Sequence, residues 1–438
     1  MTTTNTINAN PTKDFFIDML TRDIALDRAI LDLIDNSVDA WRSNNKQKNS
    51  WIRIDLNSEQ FCIHDNCGGI SRDTAQNYAF RFGRPKDSPP TPHSVGQFGV
   101  GMKRTLFKLG NRFSVISNKS KDRFRIDVDV NEWKKIEGNE WTFNITELKD
   151  EELGDGETKI TVNSLYPQIS KQLSLDTFIN CLSLDISSAH FKNINEGLKI
   201  YINSRQIDEY KISFLTSDSI NIHYEEFDFN DVKIKILAGI SDRNLNDAGW
   251  YIVCNGRLVV SAEQSSITGW QSNGIPKYHA DYAFFRGIVE FDSEDSSKLP
   301  WTTTKTGIDK DSSVYITALG RMNLALKPII AFLKQREKEE SNFKGNLIQK
   351  KIINEAIKEA KAKNAYDICT EIPETKIVKF SGPAPSPLTV TNRLMTISYK
   401  VSQIDYEMVR ESLDVMTQKE VGERTFIYYK KYECDKND

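Results

Sequence analysis

Three scarcities bound the reading of this 438-residue chain. Cysteine is sparse and scattered: Cys62, Cys67, Cys181, Cys254, Cys369 and Cys434 include no C-x-x-C pair. That argues against a zinc ribbon or a disulfide framework and for reduced thiols, as in a cytoplasmic protein. Long apolar runs are missing too: none reaches 18 residues, so neither a membrane span nor a membrane partner is expected. The segment from Met1 to Lys13 is polar and holds no apolar signal-peptide core. Charge of one sign is also lacking, with 58 Lys and Arg against 61 Asp and Glu. The resulting net charge of −3 gives no global positive field for nucleic acid, although a local basic groove stays open.

The chain is long enough for two or three domains, each with its own core. Residues 14–42 read as helical, because Ile24, Leu26, Ala29, Ile30, Leu33 and Ile34 follow the three-to-four spacing of one helix face. Residues 51–63 alternate like a strand pair turning at Asn57 and Ser58. Residues 81–95 hold four prolines and read as a long loop. A glycine-rich turn then enters a helix over 97–109. Short strands are expected over 112–165 and again over 196–292, most clearly in Trp250 to Val260 and Phe284 to Phe291. Residues 313–363 read as mostly helical. After a Pro-rich joint at 382–387, the last fifty residues suggest a strand-helix-strand module, with the aromatic run from Phe426 as a strand. Boundaries near 170, 312 and 365 divide the chain into 1–170, 171–312, 313–364 and 365–438.

Three motifs carry chemistry. Within the first helix Asp32, Asn36 and Asp39 fall at i, i+4 and i+7, on one stripe, with Asp35 beside them and the apolar stripe opposite. Three carboxylates and an amide with no adjacent Lys or Arg call for a positive partner. Mg²⁺ suits them, since it prefers oxygen ligands and keeps waters and phosphates in its shell. Asn36 offers a neutral oxygen to ligate the metal, and Asp32 is placed to take a proton from an attacking water. Alone, such a face is more often merely solvated. Next, an apolar strand ends at Asp65 and runs into Gly68 and Gly69, where a carboxylate acceptor suits the exocyclic amine of adenine. Last, Gly96, Gln97, Phe98, Gly99, Val100 and Gly101 form a G-x-x-G-x-G turn, whose backbone N–H groups and following helix start suit phosphate oxygens. The order is wrong for the dinucleotide fingerprint, and Met102 stands where a P-loop needs Lys.

In this order the motifs resemble the boxes of the GHKL superfamily (gyrase, heat-shock-ninety, histidine kinase, MutL). Asp32 to Ala40 resembles the first box, Asp65 and Gly69 the second, Gly96 to Gly101 the glycine lid, and Gly156-Glu-Thr158 the fourth. Two positions depart from the pattern: Asp32 stands where the family usually has Glu, and Cys67 replaces the middle glycine of the second box. The resemblance implies an α+β fold: a Bergerat-type ATP-binding sandwich of a mixed sheet and helices, then a transducer-like α/β domain, then a small C-terminal α+β module. It implies ATP and Mg²⁺ as ligands, with Asp32 as base, Asn36 on the metal, and Asp39, Asp65, Gly69, the 96–101 turn and Thr158 around the nucleotide.

The resemblance continues into the second domain. Cys254-Asn-Gly-Arg257 is similar to the hairpin of MutL, MORC and heat-shock-ninety transducer domains, and Lys305 to the loop lysine that reaches the γ-phosphate in MutL and MORC relatives. Arg257 reads as a hairpin stabiliser. The pattern is closest to prokaryotic stand-alone heat-shock-ninety-like or MORC-like proteins. It implies a slow ATPase that homodimerises on ATP as a clamp or switch. The client would be an unidentified protein or nucleic acid, with roles in DNA handling or anti-phage defence. The alternatives are a non-hydrolysing ATP-gated interaction module and a chaperone-like protein. A histidine kinase is disfavoured, because none of His64, His93, His190, His223 and His279 lies on a helix ahead of the nucleotide motifs.

Overall fold

The computed structural model describes residues 11–83, 91–96, 99–136, 141–149, 153–371, 377–388 and 395–434. The chain divides into two compact units: residues 1–340 with 350–386, and residues 341–349 with 387–438.

The first unit opens with α1 (Lys13–Arg22) and α2 (Leu26–Ser43). The single helix expected over 14–42 is therefore broken, with Ala25 in extended backbone. The break lets Ile24 and Leu26, two residues apart, both turn inward. A continuous helix would point them to different sides. The hairpin β1 (Trp51–Leu56) and β2 (Gln60–Asp65) follows, then the turn α3 (Arg72–Thr74) and a π-helical turn over 75–79. The helix expected from residue 97 begins at Gly101, as α4 (Gly101–Leu109). It leads into β3 (Gly110–Lys119), β4 (Asp122–Asp129), α5 (Val130–Lys135), β5 (Thr146–Glu147) and β6 (Thr158–Leu165). Helices α6 (Pro167–Leu173), α7 (Asp176–Ala189) and α8 (Phe191–Asn195) precede β7 (Lys199–Ile202) and β8 (Arg205–Gln206).

These strands make one mixed sheet in the order β5-β4-β3-β6-β2-β1-β7-β8, with β1 and β7 parallel and the other neighbours antiparallel. The apolar stripes of α2 (Ile30, Leu33, Ile34, Val38) and α4 (Leu106, Leu109) share one core with Ile52, Ile63, Val115 and Val162 of the sheet. That packing leaves the polar stripe of α2 facing away from the sheet.

A second sheet follows the short strand β9 (Ser213–Thr216). It comprises β10 (His223–Phe229), β11 (Val232–Ile240), β12 (Gly249–Cys254), β13 (Arg257–Glu263) and β14 (Phe285–Asp292), in the order β10-β11-β14-β12-β13. The long helix α9 (Ser313–Lys344) packs Val314, Ala318, Met322 and Leu326 against Ile252, Val289 and Phe291 of this sheet. Helix α9 is long and apolar enough to cross a membrane by length and composition, but half of its most apolar window is buried in this core. Helix α10 (Ile352–Glu359) follows, but the helical reading to 363 fails at β15 (Lys361–Asn364), which pairs with β9 ahead of α11 (Ala365–Glu371).

The described residues of the second unit contain α12 (Gln403–Leu413) and α13 (Gln418–Tyr429), and no strand. The expected strand-helix-strand module is corrected accordingly. Phe426 to Tyr429, aromatic and strand-like in composition, lie in a helix because the chain is committed upstream. Thr417 accepts from the Glu420 N–H, and the Glu420 carboxylate accepts from the Thr417 N–H, a reciprocal cap that starts α13.

Candidate functional site

The polar stripe of α2 forms one wall of a cavity of about 670 Å³, a size typical of small-ligand sites. Asp32, Asn36 and Asp39 line that wall, the glycine turn and the start of α4 (Gly96, Gly99, Val100, Gly101) line a second, and Lys305 enters from the loop after β14. Ile70, Thr74 and Tyr78 add a less polar side. Gln97 and Phe98 lie outside the described residues.

The glycines let the backbone press on the acidic helix. A Cβ at Gly101 would sit 3.1 Å from Asp32 Cβ, and one at Gly96 3.1 Å from Asp39 Oδ2 and 3.2 Å from Asn36 Oδ1. Asp39 accepts from the Val95 N–H at 2.8 Å and the Gly96 N–H at 2.7 Å, fixing the start of the turn on α2. Burial raises the Asp39 pKa to about 6 despite those two bonds.

Asp65, Gly69 and Thr158 do not line this cavity; they cluster at the neighbouring strand ends. Asp65 is paired opposite Thr158 across β2 and β6. Its carboxylate accepts from Ser37 Oγ on α2 at 2.8 Å and from the Cys67 N–H at 2.9 Å. The second bond closes the turn in which Cys67 stands where a glycine was expected. Gly69, with φ +65, lies where an added Cβ would be 2.4 Å from the Asn118 carbonyl oxygen, so only glycine fits. The Thr158 hydroxyl shares a 2.8 Å hydrogen bond with Ser117, which accepts from Asp65's neighbourhood through the Ile70 N–H at 2.8 Å.

Burial also raises the Asp65 pKa to about 6, against the Ser37 and Cys67 bonds. A ligand amine that donates to Asp65 binds its ionised form and so lowers this pKa. On the reading that adenine donates to Asp65, adenosine-nucleotide affinity should be full above about pH 7 and fall up to tenfold per unit below pH 6. Calorimetry from pH 5 to 8 checks this, and Asp65→Asn should flatten the profile.

Sequence reasoning missed much of the charge around Asp32 and Asp35. Arg104, one turn into α4, forms an ion pair with Asp32 Oδ2. Lys305 Nζ lies 3.2 Å from Asp32 Oδ1 and 2.7 Å from Asp35 Oδ2. Arg257, read as a hairpin stabiliser, is buried with its Nε 2.9 Å from Asp35 Oδ1. Burial opposes the Asp35 charge, but Arg257 and Lys305 outweigh it and hold the carboxyl at about 2. Burial, reinforced by the Arg257 charge, pushes His190 down to about 3, so its imidazole is neutral. The basic pair Lys103-Arg104 directly after the glycine turn is the one signal in the sequence for Arg104. Lys103 is itself buried and donates to the carbonyls of Ala79 and Gly99, tying the glycine turn to the 75–79 turn; burial lowers its pKa to about 7.

Lys305 sits at φ +55 on the tip of a turn closed by Thr302 N–H to Gly307 O and Lys305 N–H to Thr302 O. A left-handed lysine costs of order 1 kcal/mol and persists only where its surroundings hold it. Here the hold is the pair of carboxylates on α2. The 254–257 hairpin adds a second link. Asn255 Nδ2 donates to the carbonyls of Ser94 and Ser293, both at 3.1 Å, so the second sheet grips the segment leading into the glycine turn.

Residues 24–159 match the family model described as "Histidine kinase-, DNA gyrase B-, and HSP90-like ATPase". The matched segment, less than half of the chain, runs from α2 to the start of β6 and carries the acidic stripe, Asp65 and the glycine turn. The match supports a GHKL-type ATPase domain in this segment, with ATP as its ligand. No curated protein matches the chain.

Proposed function

We propose that this chain binds Mg²⁺–ATP in the cavity between α2 and α4, hydrolyses it slowly, and works as a nucleotide-gated dimeric clamp or switch in the cytoplasm. One observation carries the reading: Lys305, from beyond the second sheet, enters the same cavity as the α2 carboxylates and the glycine turn. A ligand bridging these groups ties the two sheets' elements together, and the γ-phosphate that ATP carries and ADP lacks is the group assigned to Lys305. Differential contact of that kind is what a switch requires.

Asp32 orients and deprotonates the attacking water. The N–H groups of Gly99, Val100 and Gly101 hold phosphate oxygens, Lys305 stabilises charge on the γ-phosphate, and Asp65 with Thr158, at the strand ends beside the cavity rather than in its lining, is assigned to adenine. Asn36 is exposed, with its amide oxygen beside Gly96 and the Asp39 carboxylate. Among the described residues no group of three His, Cys, Asp or Glu could hold a metal alone. The donor set thus fits Mg²⁺ only as an ion whose shell is completed by phosphate and water. Bound there, Mg²⁺ supplies charge neutralisation for the phosphates.

A second reading, an ATP-gated interaction module without turnover, draws support from Asp32 itself. It is a methylene shorter than Glu, and both its oxygens are engaged by cations, Arg104 and Lys305. Phosphate release by the purified full chain separates the two. The ATPase reading expects slow release that stops when Mg²⁺ is chelated. Tight ATP binding with no release in a single-turnover assay selects the module.

A further inference from the structure

The Asp35 carboxylate faces three neighbours: Lys305 Nζ on Oδ2 at 2.7 Å, and Arg257 Nε at 2.9 Å and His190 Nε2 at 3.4 Å on Oδ1. Asp35 and His190 have no exposure, and Arg257 is 2% exposed. The imidazole is oriented from behind. Asn193 Oδ1 accepts from Arg42 Nη2 at 2.7 Å, which turns its amide N–H toward His190 Nδ1 at 3.3 Å; His190 Nε2 is near Asp35 Oδ1 but makes no hydrogen bond to it. Asp35 and Arg257 lie behind the cavity wall, whereas Lys305 and Asp32 line it. One buried anion therefore has two cations, and only one of them has access to the ligand.

A buried carboxylate stripped of its only counter-ion is strongly disfavoured. If Lys305 were Asp35's sole partner, moving it to a phosphate would strand that anion. We infer that Arg257 is a positioning residue for the nucleotide reaction: it is the permanent counter-ion of Asp35, and so leaves Lys305 free to exchange between Asp35 and the terminal phosphate. The inference rests on the reading of Lys305 given above. It assigns the 254–257 hairpin a part in telling ATP from ADP without touching either.

Without the guanidinium, Asp35 holds Lys305 as its only strong cation. Arg257→Met should then lower the preference for a non-hydrolysable ATP analogue over ADP by roughly tenfold while leaving ADP affinity unchanged. Adding Asp35→Asn to Arg257→Met removes the anion that traps Lys305 and should restore the preference. A merely structural role for Arg257 would weaken both nucleotides alike and would not be rescued. The test is calorimetry of the full chain with Mg²⁺ and either nucleotide, on wild type, Arg257→Met, the double variant and Lys305→Ala. Wild-type preference in Lys305→Ala would overturn the reading of Lys305 itself. Lost preference in Lys305→Ala but not in Arg257→Met would overturn the inference alone. Should Arg257→Met fail to fold, as judged by circular dichroism, the double variant carries the test. Wild-type preference there supports the inference, and lost preference overturns it.

Discussion

Asp32→Asn should reduce phosphate release by about two to four orders of magnitude, the usual contribution of a positioned base. Nucleotide affinity should change little, because the side chain keeps its shape and the proposed phosphate ligands are the glycine turn and Lys305. The charge balance sharpens this expectation. Asp32 Oδ2 pairs with Arg104 and Oδ1 lies near Lys305, so the carboxylate is anchored at two points before any water arrives. Its loss frees Arg104 toward the cavity while Lys305 keeps its bond to Asp35, which favours an anionic ligand. Single-turnover assays on wild type and variant give the rate. Equal rates would remove Asp32 from the mechanism and leave the non-hydrolysing module as the better account.

Asn36→Ala should abolish the Mg²⁺ dependence of binding and weaken Mg²⁺–ATP by at least tenfold, while the fold stays within about 0.5 kcal/mol of wild type. That contrast follows from exposure: Asn36 stands in the cavity, whereas Asp32 and Asp35 on the same helix are buried. Asn36→Asp replaces the amide NH2 with a second oxygen and a negative charge, and should retain metal-dependent binding. Titrations with and without a chelator, set beside melting curves, give both quantities. A large loss of thermal stability in Asn36→Ala would contradict the placement.

Local pattern made part of this legible. The spacing of Asp32, Asn36 and Asp39 implies one helix face, and the helix packs its opposite stripe on the sheet, so those three residues line one cavity with Gly96, Gly99, Val100 and Gly101. Contacts between distant segments were not legible. Asp35's partners come from α7's end, a hairpin of the second sheet and the loop after β14, and no periodicity links His190, Arg257 and Lys305. Arg104 was hidden for a related reason: its partner lies on another helix. The break between α1 and α2 was masked because the apolar residues on both sides of it mimic one continuous stripe. At the C-terminal end, strand-like composition was overruled by a reciprocal helix cap. Core periodicity is written within an element, whereas charge compensation is written between elements.

If the α2 carboxylates, Asn36 and the glycine turn form a single receptor for a metal-bridged triphosphate, ATP titrated into the purified full chain with Mg²⁺ in a calorimeter should give a saturating heat at one nucleotide per chain that shrinks when the metal is chelated. A folded sample that gives no heat at any nucleotide concentration would rule the receptor out.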